Sequence, residues 1–269
     1  MKHLILAFSL IINLCFYHAQ NKPIGNNSIK SFGKNVTEIT DFQFVPAGSF
    51  SIADKEGFKR IDNLKPFYIS ETEVTNEMYL GFLSDLKKQN RLSDFEKAKI
   101  DTNNWDKVDI IGKEQLVKEY HKWLDFPVVN ISKEGAQLYC KWLLDKMTKE
   151  GKFSNIKEIR LPTSNEWMCA ASGSISEAEF GISNIINQKS EYQAQIKAFG
   201  LPVGPRKIKS YPANDFGIYD MSGNVAEMIN DIEATKGGSW NSDFKNLYIS
   251  SQEEIAISPM VGFRVVIIF

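Results

Sequence analysis

The sequence predicts a single α+β domain that contains much irregular structure. Strand-like patterns lie near both ends, helical patterns lie between them, and turn-rich segments make up much of the rest. Of the 269 residues, 43% are apolar and 24% are charged, which fits a packed core and excludes a disordered chain. Lys and Arg number 32 against 33 Asp and Glu. This balance gives no indication of binding to nucleic acid or to an anionic membrane.

The first residues are typical of a secretory signal peptide. Lys2 begins a short basic head, an apolar run extends from Leu4 to Cys15, and Ala19 is a small residue at a cleavage position. The sequence therefore predicts a signal peptide over residues 1–19 and a protein exported to the periplasm or beyond the cell. The alternative is a membrane anchor, for which the apolar run is short, so no stable membrane span is expected.

A second alternative is a lipoprotein anchored through Cys15. It is disfavoured because Leu14 stands where lipoprotein processing requires a small side chain. Residues 20–41 are polar and are predicted to be an N-terminal leader or linker. The domain itself is predicted over residues 42–269.

The first elements of the domain follow from alternation and capping. Residues 42–45 and 49–52 alternate apolar and polar side chains on either side of a Pro-Ala-Gly turn, which predicts a β-hairpin. A short strand is predicted over residues 67–69. Thr75 is suited to cap a helix over residues 76–88, where apolar side chains recur with helical spacing.

The stretch over residues 87–124 is charged and is predicted to be an irregular insertion, held down by Trp105 and Trp123. A strand is predicted over residues 126–131. Its apolar side chains form a continuous run interrupted only by Asn130.

Two further helices are predicted. Ser132 offers an N-cap for a helix over residues 133–149, and Gly151 suits its C-terminal stop. Thr163 and Glu166 have the spacing of a capping box, which predicts a short helix after them.

The second half of the chain has fewer predicted elements. No element is predicted over residues 175–211. The β-branched, apolar residues at 262–269 predict a terminal strand at the centre of a sheet.

Few side chains remain for metal or nucleophilic chemistry after the predicted signal peptide. They are Cys140, Cys169 and His121. One His excludes a three-His metal site, and a Ser-His-Asp or Cys-His centre would have to use His121, which lies in a polar stretch. We expect both Cys to be free and buried, because free Cys behaves as a small apolar side chain.

A series of motifs occurs in a fixed order along the domain. The motifs lie at residues 44–50, 67–69, 73–76, 127–132, 139–143, 160–167, 217–228, 237–240 and 262–264, and include Tyr-Cys-Lys-Trp, Gly-Gly-Ser-Trp and Gly-Phe-Arg. This series resembles the sulfatase-modifying factor family, the formylglycine-generating enzyme (FGE) domains, from about residue 42 to residue 267. The resemblance is weakest at 90–120 and 175–210.

The resemblance implies a single domain of the C-type-lectin-related type. Members include copper-dependent oxidases that convert a sulfatase Cys to formylglycine, and sulfoxide synthases with a three-His iron site. Others are non-catalytic members of gliding and type IX secretion machinery.

The resemblance does not carry the oxidase chemistry over to this chain. The oxidases bind Cu(I) through two Cys shortly after Gly-Gly-Ser, and the corresponding positions are Ser242 and Leu247, neither of which is a soft ligand. Cys140 and Cys169 lie on other motifs. In disulfide-bearing relatives, the partner of the first would lie near Val265. We therefore expect no catalytic residues, no copper and no iron.

The resemblance implies a non-catalytic binding or assembly module of the cell envelope, a pseudoenzyme. Its partner is expected to be an envelope or secretion-machinery protein. The alternative is a divergent oxidase that acts on protein cysteine through Cys140, Cys169 or His121. A carbohydrate-binding role would rest only on the lectin-like fold.

The family also carries structural Ca²⁺, partly through the loop that matches residues 224–227. The resemblance implies that the side chains of Asn224 and Glu227, with the Val225 carbonyl, bind it, since oxygen atoms suit this cation. The alternative is a hydrogen-bonded turn without an ion. Arg160 and Arg264 are expected to be buried partners of carboxylates.

Overall fold

The structure, a computed structural model, describes residues 42–54, 57–108, 110, 112–149, 155–175, 178–181, 194 and 204–269. The predicted signal peptide over 1–19, the predicted leader over 20–41 and the predicted helix stop at Gly151 lie outside these residues. Among the helices of the described ranges, none combines the length and the apolar character that a membrane crossing requires.

Four short strands come first, then a largely helical region, and short strands make up most of the rest. The strands are β1 (Phe42–Val45), β2 (Gly48–Asp54), β3 (Gly57–Leu64), β4 (Phe67–Ser70), β5 (Glu158–Arg160), β6 (Ala226–Met228), β7 (Ala234–Lys236), β8 (Glu253–Glu254), β9 (Val261–Gly262) and β10 (Val266–Ile268). The α-helices are α1 (Asn76–Lys88), α2 (Leu92–Ala98), α3 (Lys113–Glu119), α4 (Lys133–Lys149) and α5 (Ser164–Ser172). Short 3₁₀ segments are Thr102–Lys107, Tyr120–Lys122 and Phe244–Leu247.

The predicted hairpin between residues 42–45 and 49–52 is wrong. Both segments are strands, but β1 pairs with β4, with Phe44 opposite Tyr68. Strand β2 pairs instead with β3, the next strand along the chain. Alternation marks a strand without naming its partner, and the pairing of β1 with β4 buries both Phe42 and Val45.

The predicted terminal strand does lie inside a sheet. The first sheet has the order β1-β4-β10-β5 with antiparallel neighbours, and Val266 of β10 is paired with Ile69 on one side and Arg160 on the other. The strand is shorter than the predicted 262–269. Gly262 belongs to β9, which pairs with β6 in a second four-stranded sheet of order β8-β7-β6-β9.

The three predicted helices are confirmed. Helix α1 begins after Thr75, whose hydroxyl accepts a hydrogen bond from the Met78 amide, and α4 covers Lys133–Lys149. The capping box of α5 is complete, since the Thr163 hydroxyl and the Glu166 carboxylate each accept from the other residue's backbone amide.

Two predicted irregular or extended segments differ from the structure. The stretch 87–124 contains α2, α3 and two 3₁₀ segments, so it is largely helical. Residues 126–131 form no strand, because the amides of Val128 and Asn130 donate to isolated carbonyls of two loops, at Val74 and Ser258. Trp105 is buried, as predicted for a residue that holds this region down.

The core lies where the first sheet meets α5. Val45, Phe67 and Ile69 of the sheet pack in one apolar cluster with Trp167 and Cys169 of the helix. On the other side, α1 packs against α4 through aromatic contacts such as Phe82 with Tyr139, whose ring centroids lie 5.6 Å apart.

Candidate functional site: a buried ionic centre beside a polar cleft

Arg264 forms the centre of a buried ionic network. It lies between β9 and β10, and so between the two four-stranded sheets, and its side chain is 0% exposed. Its Nε and Nη2 atoms each donate to one oxygen of Glu227 on β6, both over 2.6 Å. The guanidinium also donates to the backbone carbonyls of Ser70 and Tyr219. This confirms that Arg264 is a buried partner of a carboxylate.

Two more buried carboxyl groups face this centre. Glu73 precedes α1 and is 0% exposed, and Asp220 is 4% exposed. One oxygen of Glu73 accepts from Asn224 Nδ2 over 2.9 Å, and one oxygen of Asp220 accepts from the Lys209 amide over 2.9 Å. The second oxygen of each has no hydrogen-bond partner among the described residues.

The charges in this network do not balance if every group is ionised, because one guanidinium faces three carboxyl groups. Burial and the nearby charge of Asp220 raise the pKa of Glu73 well above its usual value. Burial also raises the pKa of Asp220, to about 6. Both shifts favour the neutral form of the carboxyl group, so the network carries less negative charge than three ionised carboxylates would, and Arg264 pairs with Glu227 through two hydrogen bonds.

The structure brings the three residues of the expected calcium loop together, but their side chains have protein partners. Both oxygens of Glu227 accept from Arg264, and one also accepts from Trp167 Nε1 over 2.6 Å. The Asn224 side-chain oxygen accepts from the Arg206 amide over 2.9 Å. These side-chain oxygens already have protein partners, so they do not form an open coordination site for an ion. A calcium ion would have to displace Arg264 from Glu227.

The segment that follows Gly-Gly-Ser is closely packed. Gly237 and Gly238 adopt φ values of 91° and 68°, in the left-handed region that favours glycine. A Cβ atom on Gly238 would lie 3.1 Å from the Asn246 carbonyl oxygen. The turn therefore brings the start of the segment against its end, and Trp240 between them is fully buried.

Ser242 and Leu247 are both held inside this segment. The Ser242 hydroxyl donates to Glu253 Oε2 over 3.1 Å and accepts from the Ser239 amide over 2.9 Å. Glu253 Oε1 accepts from Asn246 Nδ2 over 2.6 Å. Leu247 is 0% exposed. A hydroxyl in a hydrogen-bonded network and a buried hydrocarbon thus occupy the two positions at which the sequence resemblance implies the copper ligands of the oxidases.

A polar cleft of about 740 Å³ lies beside the same segment. Its wall carries side chains that donate or accept hydrogen bonds and both signs of charge: Glu179, Lys245, Asn246, Tyr248, Ser250, Ser251 and Gln252. The buried ammonium of Lys236 donates to the carbonyls of Ile249 and Ser251, which fixes the loop behind this wall. The cleft can form hydrogen bonds with a polar ligand.

The remaining candidate residues are the two cysteines and His121. Cys140 and Cys169 are free and buried, as expected. Burial raises the pKa of both thiols, that of Cys169 to about 12, so neither is a thiolate at neutral pH. His121 lies on the surface after α3. Within the described ranges, no group of three His, Cys, Asp or Glu side chains is arranged to hold a metal ion.

Arg160 is the second predicted partner of a carboxylate. Its two terminal nitrogens donate to the two oxygens of Glu166 over 2.7 and 2.8 Å, which confirms the carboxylate partner, although Arg160 is half-buried rather than buried. Burial tends to raise the pKa of Glu166, but the hydrogen bonds from Arg160 and Thr163 and the charge of Arg160 together outweigh it, so the pKa lies below its usual value. The pair fixes the start of α5.

Glu73 and Glu253 are functional-site residues that the sequence did not predict. Glu73 lies two residues before the cap of α1, and Glu253 lies in a two-residue strand. Glu73 contacts Asn224, which is distant along the chain. Glu253 contacts Ser242 and Asn246 across an irregular segment, where no regular spacing marks a partner. The one local feature that marks Glu73 is that this acidic residue directly precedes the apolar Val74.

A family model described as "Sulfatase-modifying factor enzyme 1-like domain" matches residues 28–268. A solved structure, that of PvdO from Pseudomonas aeruginosa, covers 91% of this chain and 100% of its own at 19% identity, with a TM-score of 0.64. This likeness shows the FGE-like fold.

Curated relatives differ in their described roles. Serine/threonine-protein kinase pkn1 of Chlamydia caviae is 28% identical over 204 residues, which are 72% of this chain and 28% of the kinase. The chain thus spans little more than a quarter of that relative. The inactive Cα-formylglycine-generating enzyme 2 of Mus musculus is 26% identical, over 70% of this chain and 68% of its own. Chaperone protein LppX of Paenibacillus barcinonensis is 25% identical, over 86% and 91%.

Proposed function

Because the chain belongs to the sulfatase-modifying factor enzyme 1-like domain family, we propose that it is an exported, non-catalytic member that serves as a binding or assembly module of the cell envelope. One observation carries the proposal. Ser242 donates to Glu253 and Leu247 is fully buried, at the positions where the oxidases of this family have copper ligands. The scaffold is retained while the soft ligands are replaced.

The remaining thiols give no substitute for that centre. Cys140 and Cys169 are buried, and their raised pKa values keep both sulfurs protonated at neutral pH. Protonated, buried thiols are poor metal ligands and poor nucleophiles. No observation among the described residues favours the alternative of a divergent oxidase.

The relatives support a binding role. One is described as inactive and another as a chaperone, and both match most of this chain. The polar cleft beside Ser242–Leu247 offers the surface for it, since its lining can hydrogen-bond a polypeptide backbone. The partner is an envelope or secretion-machinery protein.

A copper experiment tests the non-catalytic part of the proposal. The purified chain is loaded with Cu(I) in competition with a chelator and is then incubated with a Cys-containing sulfatase peptide and oxygen. We expect no tight copper binding and no formylglycine by mass spectrometry. The matched variant S242C/L247C places two thiols at the ligand positions and is expected to bind Cu(I). Formylglycine made by the native chain would overturn the proposal.

A second experiment tests the binding part. A photo-crosslinking residue is placed at Ser251 in the cleft or, as a control, at Lys141 on the exposed face of α4. Crosslinks to one envelope protein are expected from position 251 in the native host, and Lys245→Glu is expected to weaken them. Crosslinks of the same partner from both positions, or from neither, would contradict a binding role of the cleft.

A structural calcium ion bound by Asn224, Val225 and Glu227 remains a proposal. A bound ion would stabilise the folded chain by mass action. The thermal midpoint is measured in millimolar Ca²⁺, in Mg²⁺ and in EDTA. A midpoint raised by Ca²⁺ alone supports the site, and three equal midpoints argue for the hydrogen-bonded turn.

A further inference from the structure

An open groove with an apolar floor and basic side chains lies between α1 and the largely helical segment that follows it. It has a volume of about 500 Å³ and is formed by α1, α2, the turn after α2 and the 3₁₀ segment Tyr120–Lys122. We call it the basic groove. It is separate from the polar cleft, with which it shares no lining residue.

The floor of the basic groove is apolar and incompletely covered. Leu80 and Leu83 lie on one face of α1, and Phe95 of α2 and Ile100 extend the same surface. Leu80, Phe95 and Ile100 are only half-buried, although apolar side chains of this size are favoured by full burial. An apolar ligand in the groove would remove this surface from water.

Basic groups border this floor. The lining includes Lys87, Lys99 and His121, and none of the nine described residues that line the groove is acidic. The ammonium of Lys87 lies over the Phe95 ring, 4.2 Å from its centroid, so the charge is held at the edge of the apolar surface. Lys99 is paired with Glu96 over 2.7 Å, which leaves Lys87 and His121 as the groups that face a ligand.

We propose that the basic groove binds a small anionic amphiphile, a carboxylate with an apolar chain. The apolar chain would lie along Leu80 and Phe95, and the carboxylate would contact Lys87 and His121. The volume lies within the range of about 300–1,000 Å³ that is typical of small-molecule sites. The charge of the lining selects an anion over a cation of the same length.

Calorimetric titration of the full chain tests this site. The probe is dodecanoate below its micellar concentration, compared with dodecyltrimethylammonium, which has the same chain and opposite charge, and with acetate, which lacks the chain. We expect saturable 1:1 binding of dodecanoate and no saturable binding of the other two. Equal binding of the cation, or no binding of dodecanoate, would overturn the proposal.

Surface variants locate the site. Lys87→Gln is expected to weaken dodecanoate binding about fivefold, since a partly exposed ion pair is lost. The matched control is Lys88→Gln, the next residue on α1, whose side chain pairs with Asp85 outside the groove and whose loss should leave binding unchanged. Equal effects of the two variants would refute the placement.

The other occupant to be tested is a second copy of the chain. Sedimentation of the native chain and of the Leu80→Asn variant, both without ligand, distinguishes a small-molecule occupant from a second copy of the chain. A monomer in both supports a small ligand. A dimer that Leu80→Asn disperses would show that self-association covers the groove, and it would overturn the proposal. Circular dichroism confirms that each surface variant is folded.

Discussion

Arg264 shows how a single side chain can join distant parts of a fold. Its guanidinium bonds Glu227 on β6, the Ser70 carbonyl on β4 and the Tyr219 carbonyl of a loop. Because the arginine is fully buried, its bonds replace all the water that the charge would otherwise bind. Removal of either charge leaves the other without compensation in the interior.

This network predicts a strong effect of Arg264→Met. The variant leaves Glu227 buried without a cationic partner, so the free energy of unfolding is expected to fall by about 3–5 kcal/mol. Urea denaturation monitored by fluorescence measures it. The double variant Arg264→Met, Glu227→Gln removes both charges and is expected to recover part of the loss. A double variant less stable than the single one would contradict this reading.

Asp220 predicts a pH dependence. Its pKa is about 6 in the folded chain against an ordinary value of 3.8, so between these values the folded state binds more protons than the unfolded state. The contribution of Asp220 to stability is therefore largest below pH 4 and decreases until about pH 6. Above pH 6 the full cost of burying the charged Asp220 lowers the stability of the folded chain.

Asp220→Asn is expected to remove that penalty. The amide oxygen can still accept from the Lys209 amide, and Asn tolerates the φ of 57° at this position. At pH 7 the variant is expected to be more stable than the native chain by about 1–3 kcal/mol, with a smaller difference at pH 4. Urea denaturation at both pH values measures this difference. A variant that is less stable at pH 7 would refute the assignment.

At the scale of an element, α5 depends on its first turn. The Thr163 hydroxyl accepts from the Glu166 amide, and the Glu166 carboxylate accepts from the Thr163 amide and from Arg160. The helix is only nine residues long. The backbone amides of its first turn, which have no partner within the helix, are therefore a large share of all its amides.

Thr163→Ala is expected to lower the free energy of unfolding by about 1 kcal/mol, because one amide loses its partner. Denaturant unfolding is the measurement. Thr148→Ala, at an exposed site within α4, is the matched control and is expected not to lower stability, because Ala favours a helix more than Thr does. A loss as large in the control would show that the cap is not the cause.

The helices were predictable from sequence because their signals are local. Thr75, Ser132 and Thr163 mark the starts of α1, α4 and α5, and apolar spacing marks their length. The pairing of β1 was not predictable, since its partner β4 follows two intervening strands. The segment over 126–131 has the composition of a strand but bonds to scattered loop carbonyls, which no local pattern encodes.

In the candidate site, too, some features were predictable from the sequence and others were not. The motif order alone aligns Ser242 and Leu247, which are not soft ligands, with the copper positions that the resemblance implies. The partners of Arg264 were predictable as a class, a carboxylate, but Glu227 was expected to bind calcium. Glu73 joins the network of Arg264 and contacts Asn224, which is distant along the chain, whereas Glu253 belongs to the separate hydrogen-bonded network of Ser242.

At the scale of the whole molecule, β10 completes the first sheet. It pairs with β4 on one side and β5 on the other. A chain that stops after Val265 lacks this strand and is expected to lose its cooperative unfolding transition, as measured by circular dichroism during heating. Phe269→Ser, beyond the strand, is the control and is expected to remain folded. A cooperative transition in the shortened chain would contradict the central role of β10.

The position of β10 has a consequence for synthesis. On the ribosome, β1 and β4 emerge early, yet the strand that joins β4 to β5 is translated nearly two hundred residues after β4. The nascent polypeptide therefore cannot assemble this sheet while most of the domain is being made. Folding must wait for almost the whole domain to be translated, and such long-range closure is intrinsically slow.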